Sequence, residues 1–308
     1  MSHVVEGDLA KERWLITGAN GFLGANAGLI LADGVTTIGV TRDSRSSTSQ
    51  TTVNADLLDS LALRDLVKSI KPSVILHTAA MASHESCEAS PEMAMRVNSG
   101  VPGVLAQAAV EIGATMIQIS TDAVFDGGRG DYSELDEVSP FSVYGTTKLE
   151  GEHAVIDAGG HSIVARTNFF GWSPTSTRSI LEFFVEGLRA GRTMPGYTDF
   201  RVTSLYVREL VESLWSLTRL NAAGTFHIAS HDSLTKFEFG QAVARELGLS
   251  DAAITATACF ETSDSLRSGR DISLNVGKLE KLLARPMHTQ QAGIAAALDE
   301  ETITRRGL

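Results

Sequence analysis

Tyr144 and Lys148, in Tyr-Gly-Thr-Thr-Lys, have the residue types and spacing for proton chemistry. Four positions apart on a helix, they share one face, one turn from each other. A phenol titrates near about 10, so alone it carries protons poorly at neutral pH. An ammonium beside it favours the phenolate and makes the tyrosine a usable acid and base. Lys148 could also hold the hydroxyls of a ribose. The spacing recurs by chance on solvated helix faces, but here it follows a run of β-type segments, which favours the chemical reading. A further hydroxyl comes from Ile119-Ser-Thr-Asp122, which leaves a strand at its C-terminal edge, where ligands of open α/β sheets sit. Thr121 is preferred to Ser120 for polarising a carbonyl; otherwise such a turn caps its own backbone.

A second constellation is Gly18-Ala-Asn-Gly21-Phe-Leu-Gly24, between a first apolar strand and a first helix. A backbone meeting a pyrophosphate needs glycine where a Cβ would block approach, and a helix N-terminus offers free N–H groups and a favourable dipole. A tight strand-to-helix turn would use the same glycines; the place of this one in the chain favours dinucleotide binding. The next strand ends Gly39-Val-Thr-Arg42, with Arg45 close behind and Asp43 between them. An acid there would bind a ribose 2′-hydroxyl, whereas arginine suits a 2′-phosphate, so NADP(H) is the expected cofactor.

The elements positioning these residues alternate between short apolar β-type runs and longer helical patterns, as in βαβ units. Strands are expected at Trp14–Thr17, Thr36–Thr41, Ser73–His77, Thr115–Ile119 and Ser162–Arg166. Helices are expected over Phe22–Ala32, Asp59–Ile70, Pro91–Gly113 and Tyr144–Ala158, and Ser44–Thr52 reads as a polar loop. Beyond this the rhythm changes, and Thr225–Ala229 is expected to return to the main sheet. The expected fold is α/β: a Rossmann doubly wound parallel sheet with a smaller C-terminal substrate-binding lobe. Residues 1–166, with 204–229, form the NADP-binding domain; 167–203 and 230–308 form the lobe.

The 308 residues carry a net charge of −11, which argues against a nucleic-acid partner while leaving room for a small anionic substrate met by a few arginines. Cys87 and Cys259 form no spaced framework and read as free thiols. Met1–Lys11 lacks the apolar stretch of a signal peptide, and no apolar run approaches the roughly 18 residues that cross a bilayer. A cytoplasmic protein without a membrane partner is expected. His227 and His231 lack a third ligand, so no metal site is expected. His77 reads as a core histidine. Arg189, Arg192 and Arg201 read as a solvated face, although Asp199 or Arg201, at the start of the lobe, could meet substrate.

The chain resembles the extended short-chain dehydrogenase/reductases, and within them the dTDP-4-dehydrorhamnose reductase (RmlD-like) branch. The resemblance rests on the glycine loop, on Ser120-Thr-Asp-Ala-Val-Phe-Asp-Gly127, on Tyr144-Gly-Thr-Thr-Lys-Leu-Glu-Gly-Glu152, and on the less specific Gly269-Arg-Asp-Ile-Ser-Leu274. It implies that Asn20, Phe22 and Leu23 line the pyrophosphate turn and that Asp56 and Leu57 flank the adenine. Ala79, Ala80 and Met81 would lie near the ribose and nicotinamide, with Asn98 behind the active site. Asp122, Asn168 and Arg270 would face the substrate, and Arg166 and Thr167 would lie where the sixth strand opens. Two departures stand out. Ala123 replaces a tyrosine near the substrate, and Met81 stands where that branch usually has tyrosine. Both weaken dTDP-4-dehydrorhamnose itself as the substrate.

Together these residues point to NADPH-dependent reduction of a ketone on a nucleotide-linked sugar, of the dTDP-4-keto-6-deoxysugar type. Tyr144 would give the proton, Lys148 lower its pKa, and Thr121 polarise the carbonyl. Two alternatives stand beside it: a nucleotide-sugar epimerase or dehydratase holding NAD tightly, and a non-catalytic NADP-binding regulatory subunit like the methionine adenosyltransferase β subunit. Dimers are common in this fold, so a homodimer is an expected form.

Overall fold

A computed structural model describes residues 12–42, 51–175, 179–259 and 270–306; Asp43, Arg45 and Gly269 lie outside the described residues. Its strands are β1 (Arg13–Thr17), β2 (Thr36–Thr41), β3 (Thr51–Asn54), β4 (Val74–His77), β5 (Thr115–Thr121) and β6 (Ser162–Phe170). There follow β7 (Met194–Tyr197), β8 (Phe200–Val202), β9 (Ser204–Tyr206), β10 (Gly224–His227), β11 (Leu234–Thr235), β12 (Ile254–Thr257) and β13 (Arg270–Asp271). The main sheet runs β10-β6-β5-β4-β1-β2-β3, and every pair in it is parallel. This is the doubly wound Rossmann order with one strand added beyond β6.

Parallel strands need crossovers, and helices supply them on both faces. The first six helices are α1 (Phe22–Leu31), α2 (Ser60–Ile70), α3 (His84–Ala89), α4 (Pro91–Met95), α5 (Val101–Ile112) and α6 (Val143–Asp157). The others are α7 (Ile180–Arg189), α8 (Val207–Arg219), α9 (Lys236–Leu247), α10 (Gly277–Leu283) and α11 (Gln290–Arg306). On one face Leu63 and Val67 of α2 and Leu105 of α5 are buried with Leu15, Val40 and Ile75 of the sheet. On the other, Leu23 and Leu31 of α1 and Leu210 and Leu214 of α8 are buried with Trp14, Ile16 and Leu76. Alternate strand residues thus feed opposite cores, as the period of two demands.

Three expectations are corrected. Thr51 and Thr52 open β3 rather than close a loop: at the sheet edge a strand needs only a backbone ladder, here with Ile38–Thr41. The helix expected over Pro91–Gly113 is interrupted by a π-helical turn at Arg96–Gly100, and Gly113 caps its end with φ of 69°. The strand expected to stop at Arg166 runs on to Phe170, because its last residues, Asn168–Phe170, pair with Ser204–Tyr206 of β9.

Outside the main sheet, β8 pairs with β11 and β13, and β7 with β12. The loop after β5 is seamed to β13 and the segment following it: Asp271 N–H bonds Gly127 O at 2.9 Å, Tyr132 N–H bonds Ser273 O at 2.9 Å, and Asn275 N–H bonds Tyr132 O at 2.7 Å. Among the described residues no helix is long and apolar enough to cross a membrane.

Candidate active site

At the end of β1 the chain turns at Gly18, whose φ of 68° is in the left-handed region. A Cβ at Gly18 would lie 2.8 Å from the N and Cα of Ala79. Gly21 N–H bonds Gly18 O at 2.8 Å. A Cβ on Gly24 would overlap the Gly18 carbonyl and lie 2.9 Å from Thr78 Oγ1. No side chain caps Gly21 at the N-terminus of α1, and the first turn holds no acid. The turn therefore presents backbone donors and a positive helix end with nothing bulky in the way, which fits a pyrophosphate.

Across the sheet, at the C-terminal ends of β5 and β6, lies a cleft of about 240 Å³. Its polar wall includes Thr121, Asp122, Tyr144 and Asn168, with His84 and Thr167; its apolar wall includes Phe141, Phe169, Phe200 and Ile272. The polar wall is pre-ordered. Thr121 Oγ1 donates to Asp122 Oδ1 at 3.0 Å, Asn168 Nδ2 donates to Asp122 Oδ2 at 3.0 Å, and Ser204 Oγ donates to Asn168 Oδ1 at 3.0 Å. Tyr144 is half-buried in the first turn of α6, its ring 5.0 Å from that of His84. Gly145 explains how α6 reaches this place: a Cβ there would strike the Ala123 carbonyl, so the helix lies directly on the turn after β5. The Ser142 side chain caps the helix by accepting from Gly145 N at 3.1 Å.

One turn deeper, Lys148 is 3% exposed and its Nζ donates to Ile119 O at 2.6 Å. Burial pushes its ammonium down to about 8, against the opposing pull of Glu152. Another turn on, Glu152 is 1% exposed and accepts from Arg166 in a bidentate pair, Nε–Oε1 at 3.0 Å and Nη2–Oε2 at 2.7 Å, and from Ser120 Oγ. Behind α6, the π turn carries Asn98 inward. Its Oδ1 accepts from Met81 N at 2.9 Å, and its Nδ2 donates to Met81 O and to Thr147 Oγ1, both at 3.0 Å. His77 is buried, bonded through Nδ1 to Thr17 Oγ1 at 2.6 Å, and held neutral down to about 3 by burial, with the Lys148 charge adding.

The sequence from residue 12 to 303 matches the model of the RmlD substrate binding domain. The chain belongs to that family. A probable low-salt glycan biosynthesis reductase from Haloferax volcanii is 29% identical over 91% of this chain and 95% of its own. Methionine adenosyltransferase 2 subunit beta from Mus musculus is 30% identical over 90% of this chain and 84% of its own. The fold is shared with the crystal structure of dTDP-4-dehydrorhamnose reductase from Bacillus anthracis in complex with NADP, with a TM-score of 0.82 and 22% identity over 94% of this chain and 99% of that one.

On the RmlD-family frame, the residues singled out in the sequence fall into two groups. Thr121, Asp122, Tyr144 and Asn168 meet in the cleft, with Lys148 beneath. Gly18, Asn20, Gly21, Phe22, Leu23 and Gly24 make the turn into α1, with Ala79, Ala80 and Met81 alongside after β4 and Asn98 behind Met81. Arg42 is exposed at the end of β2; Asp56 is exposed and Leu57 half-buried after β3, the Asp56 carboxylate accepting from Leu58 N at 3.0 Å. The second group turns elsewhere. Arg201 bonds Ser233 O at 2.6 Å and pairs with Glu238 at 3.0 Å, so its guanidinium serves the start of α9 rather than the cleft. Arg270 donates to Asp126 O and stacks 4.2 Å from the centroid of Phe141, behind the cleft wall. Arg189, read as solvated, grips Glu301 of α11 at 2.9 and 2.8 Å.

Sequence reasoning passed over Glu152 as a partner of Lys148 and Arg166 as its counter-ion. The signal was present: Tyr144, Lys148 and Glu152 recur every four residues, a single column on one helix face.

Proposed function

We propose that this chain is an NADP(H)-dependent reductase that turns a ketone on a nucleotide-linked sugar into an alcohol. The observation that carries the reading is the cleft itself: Thr121 and Tyr144 share its wall, with the buried Lys148 amine one helical turn below. Gly18, Gly21 and Gly24 would hold the pyrophosphate of the cofactor, Arg42 its 2′-phosphate, and Lys148 its ribose. When bound, the nicotinamide supplies the hydride. Tyr144 gives its phenolic proton to the carbonyl oxygen as negative charge develops there. Lys148, charged, stabilises the phenolate left behind. Thr121 can turn its hydroxyl from Asp122 towards the same oxygen and share the load. Asp122, fixed by Asn168, stands ready to accept from sugar hydroxyls. Phe200 and Ile272 on the cleft wall support a substrate-binding role for residues 167–203 and 230–308.

The test is NADPH oxidation against a panel of dTDP- and UDP-linked 4-keto-6-deoxysugars, with Tyr144→Phe in parallel. Loss of the phenol should reduce turnover by about 10²–10⁴-fold. A variant that keeps more than a few per cent of wild-type turnover would sink the assignment of Tyr144.

A second reading draws support from the 30% identity to methionine adenosyltransferase 2 subunit beta: a cofactor-binding regulatory subunit. Tight NADPH binding, no reduction across the panel and stable co-purification with a larger enzyme would select it. The tightly held NAD of an epimerase is disfavoured by Arg42, where a ribose-binding acid would stand.

A further inference from the structure

We propose that Glu152, seated on the buried guanidinium of Arg166, is a positioning residue that keeps the Lys148 amine charged beneath Tyr144. The inference deepens the reductase reading and rests on it for its purpose, though not for its measurement.

Three observations carry it. First, Glu152 follows Lys148 by one turn of α6, and both side chains are sealed from water, at 1% and 3% exposure. A carboxylate and an ammonium in that relation interact with little screening. Second, the buried Glu152 carboxyl is held by specific partners. Desolvating it is costly, and what compensates is specific: the two-pronged Arg166 pair and the Ser120 hydroxyl. Third, these partners sit on the two strands bearing the cleft. Ser120 precedes Thr121 on β5, Arg166 precedes Thr167 on β6, and Ser120 and Arg166 are register partners. Glu152 thus ties the floor of both strands to the helix that bears Tyr144 and Lys148. The Ile119 carbonyl orients the amine but cannot supply a charge.

Other groups around Lys148 do not replace it. His77 on β4 is buried and neutral, so it offers no countercharge. Asp122 lies at the cleft, where its two oxygens accept from Thr121 and Asn168, and the carboxylate that pulls on the Lys148 amine is that of Glu152. Glu88, Glu92 and Arg96, on α3, α4 and the π turn, are exposed and screened by solvent, and the His84 ring lies tilted against Tyr144 at the cleft.

Opposite perturbations give opposite signs. Glu152→Gln removes the negative charge and leaves Arg166 unbalanced, so the ammonium should lose its proton at lower pH. Arg166→Met leaves Glu152 unbalanced and should hold that proton to higher pH. The readout is the pH titration of the Lys148 side chain by NMR in protein labelled at lysine, its signal assigned by its loss in Lys148→Arg. The singles should move the titration midpoint by about one pH unit or more, in opposite directions. The double variant Glu152→Gln/Arg166→Met removes both charges, so that neither partner is left as an unpaired ion, and should titrate between them; it keeps the test open if a single variant fails to fold. Shifts in the same direction, no shift, or a double variant outside the two singles overturns the proposal. General damage to packing predicts no such pair of signs. Because no substrate is needed, this outcome is independent of whether any ketone is reduced; where one is, the alkaline limb of kcat should move with the NMR midpoint.

Discussion

Gly24→Ala is the sharpest probe of the proposed cofactor cradle. The added methyl would overlap the Gly18 carbonyl and lie 2.9 Å from both the Gly18 carbonyl carbon and Thr78 Oγ1. Ordinary contact begins near about 3.5 Å, so the neighbours must yield by roughly half an ångström or more. Neither is free to do so. Gly18 O accepts from Gly21 N at 2.8 Å, and Thr78 Oγ1 donates to Thr17 O at 2.7 Å. Overpacking of this kind costs about 1–3 kcal/mol, and losing one of those hydrogen bonds about 1 more. The cheapest relief opens the turn and swings its N–H groups off a bound phosphate. If only about 1.4 kcal/mol of that strain is charged against the complex, NADPH affinity falls tenfold. The assay is NADPH titration by nicotinamide fluorescence, with a thermal melt of the same sample. Gly100→Ala is the control: it has helical backbone angles and nothing within 4 Å of the new Cβ, so it should bind normally and gain about 0.5–1 kcal/mol. A folded Gly24→Ala protein binding NADPH within twofold of wild type would refute the cradle.

Further predictions follow from the buried titratable groups. Folding lowers the Lys148 pKa from 10.5 to about 8, so the unfolded chain holds that proton more tightly and stability rises with pH across this window. Lys148→Met should therefore abolish reduction yet melt no lower than wild type at neutral pH, the relieved penalty being on the order of 3 kcal/mol; a clearly lower Tm would show that the amine contributes stability. His77 and His227 are held down to about 3 by burial, against 6.5 when free. The unfolded chain takes up protons that the fold refuses, so urea stability should fall as pH drops from about 6.5 towards 3. His227→Gln should flatten that slope, and an unchanged slope would show that other groups govern the acid transition.

Much of this was legible in the sequence because it is local. Three glycines before an apolar helix, and a tyrosine and lysine one turn apart, are short-range patterns whose physics does not depend on the rest of the chain. β3 was missed because Thr-Thr-Val-Asn has no apolar run to bury, and its edge position requires only backbone pairing. The π turn leaves hydrophobic spacing nearly intact and shows itself only through the bonds Asn98 makes. Arg201 and Arg270 illustrate the other limit: the positions carry the charge, but Glu238 and Phe141, remote in sequence, decide where it is spent. Arg166 is the converse. A charged residue amid Ile-Val-Ala and Thr-Asn-Phe announces a buried partner, and only the fold reveals that it is Glu152.

The seam joining the loop after β5 to β13 and the residues just beyond it has a bearing on how the molecule is made. A chain emerging from the ribosome can pair β1 through β5, and so build the glycine turn, once residue 121 is out. The cleft wall cannot close then, because Phe200 and Ile272 line it and the residues flanking Ile272 are held by the seam of Gly127 and Tyr132 with Asp271, Ser273 and Asn275, nearly a hundred and fifty residues later. β10 likewise joins β6 only after residue 227. Nascent protein thus passes through a stage in which the glycine turn is formed while the cleft is still open on one side. If the glycine turn holds the proposed dinucleotide, the cofactor in that interval is a scaffold that favours the sheet against which the last-made residues must dock.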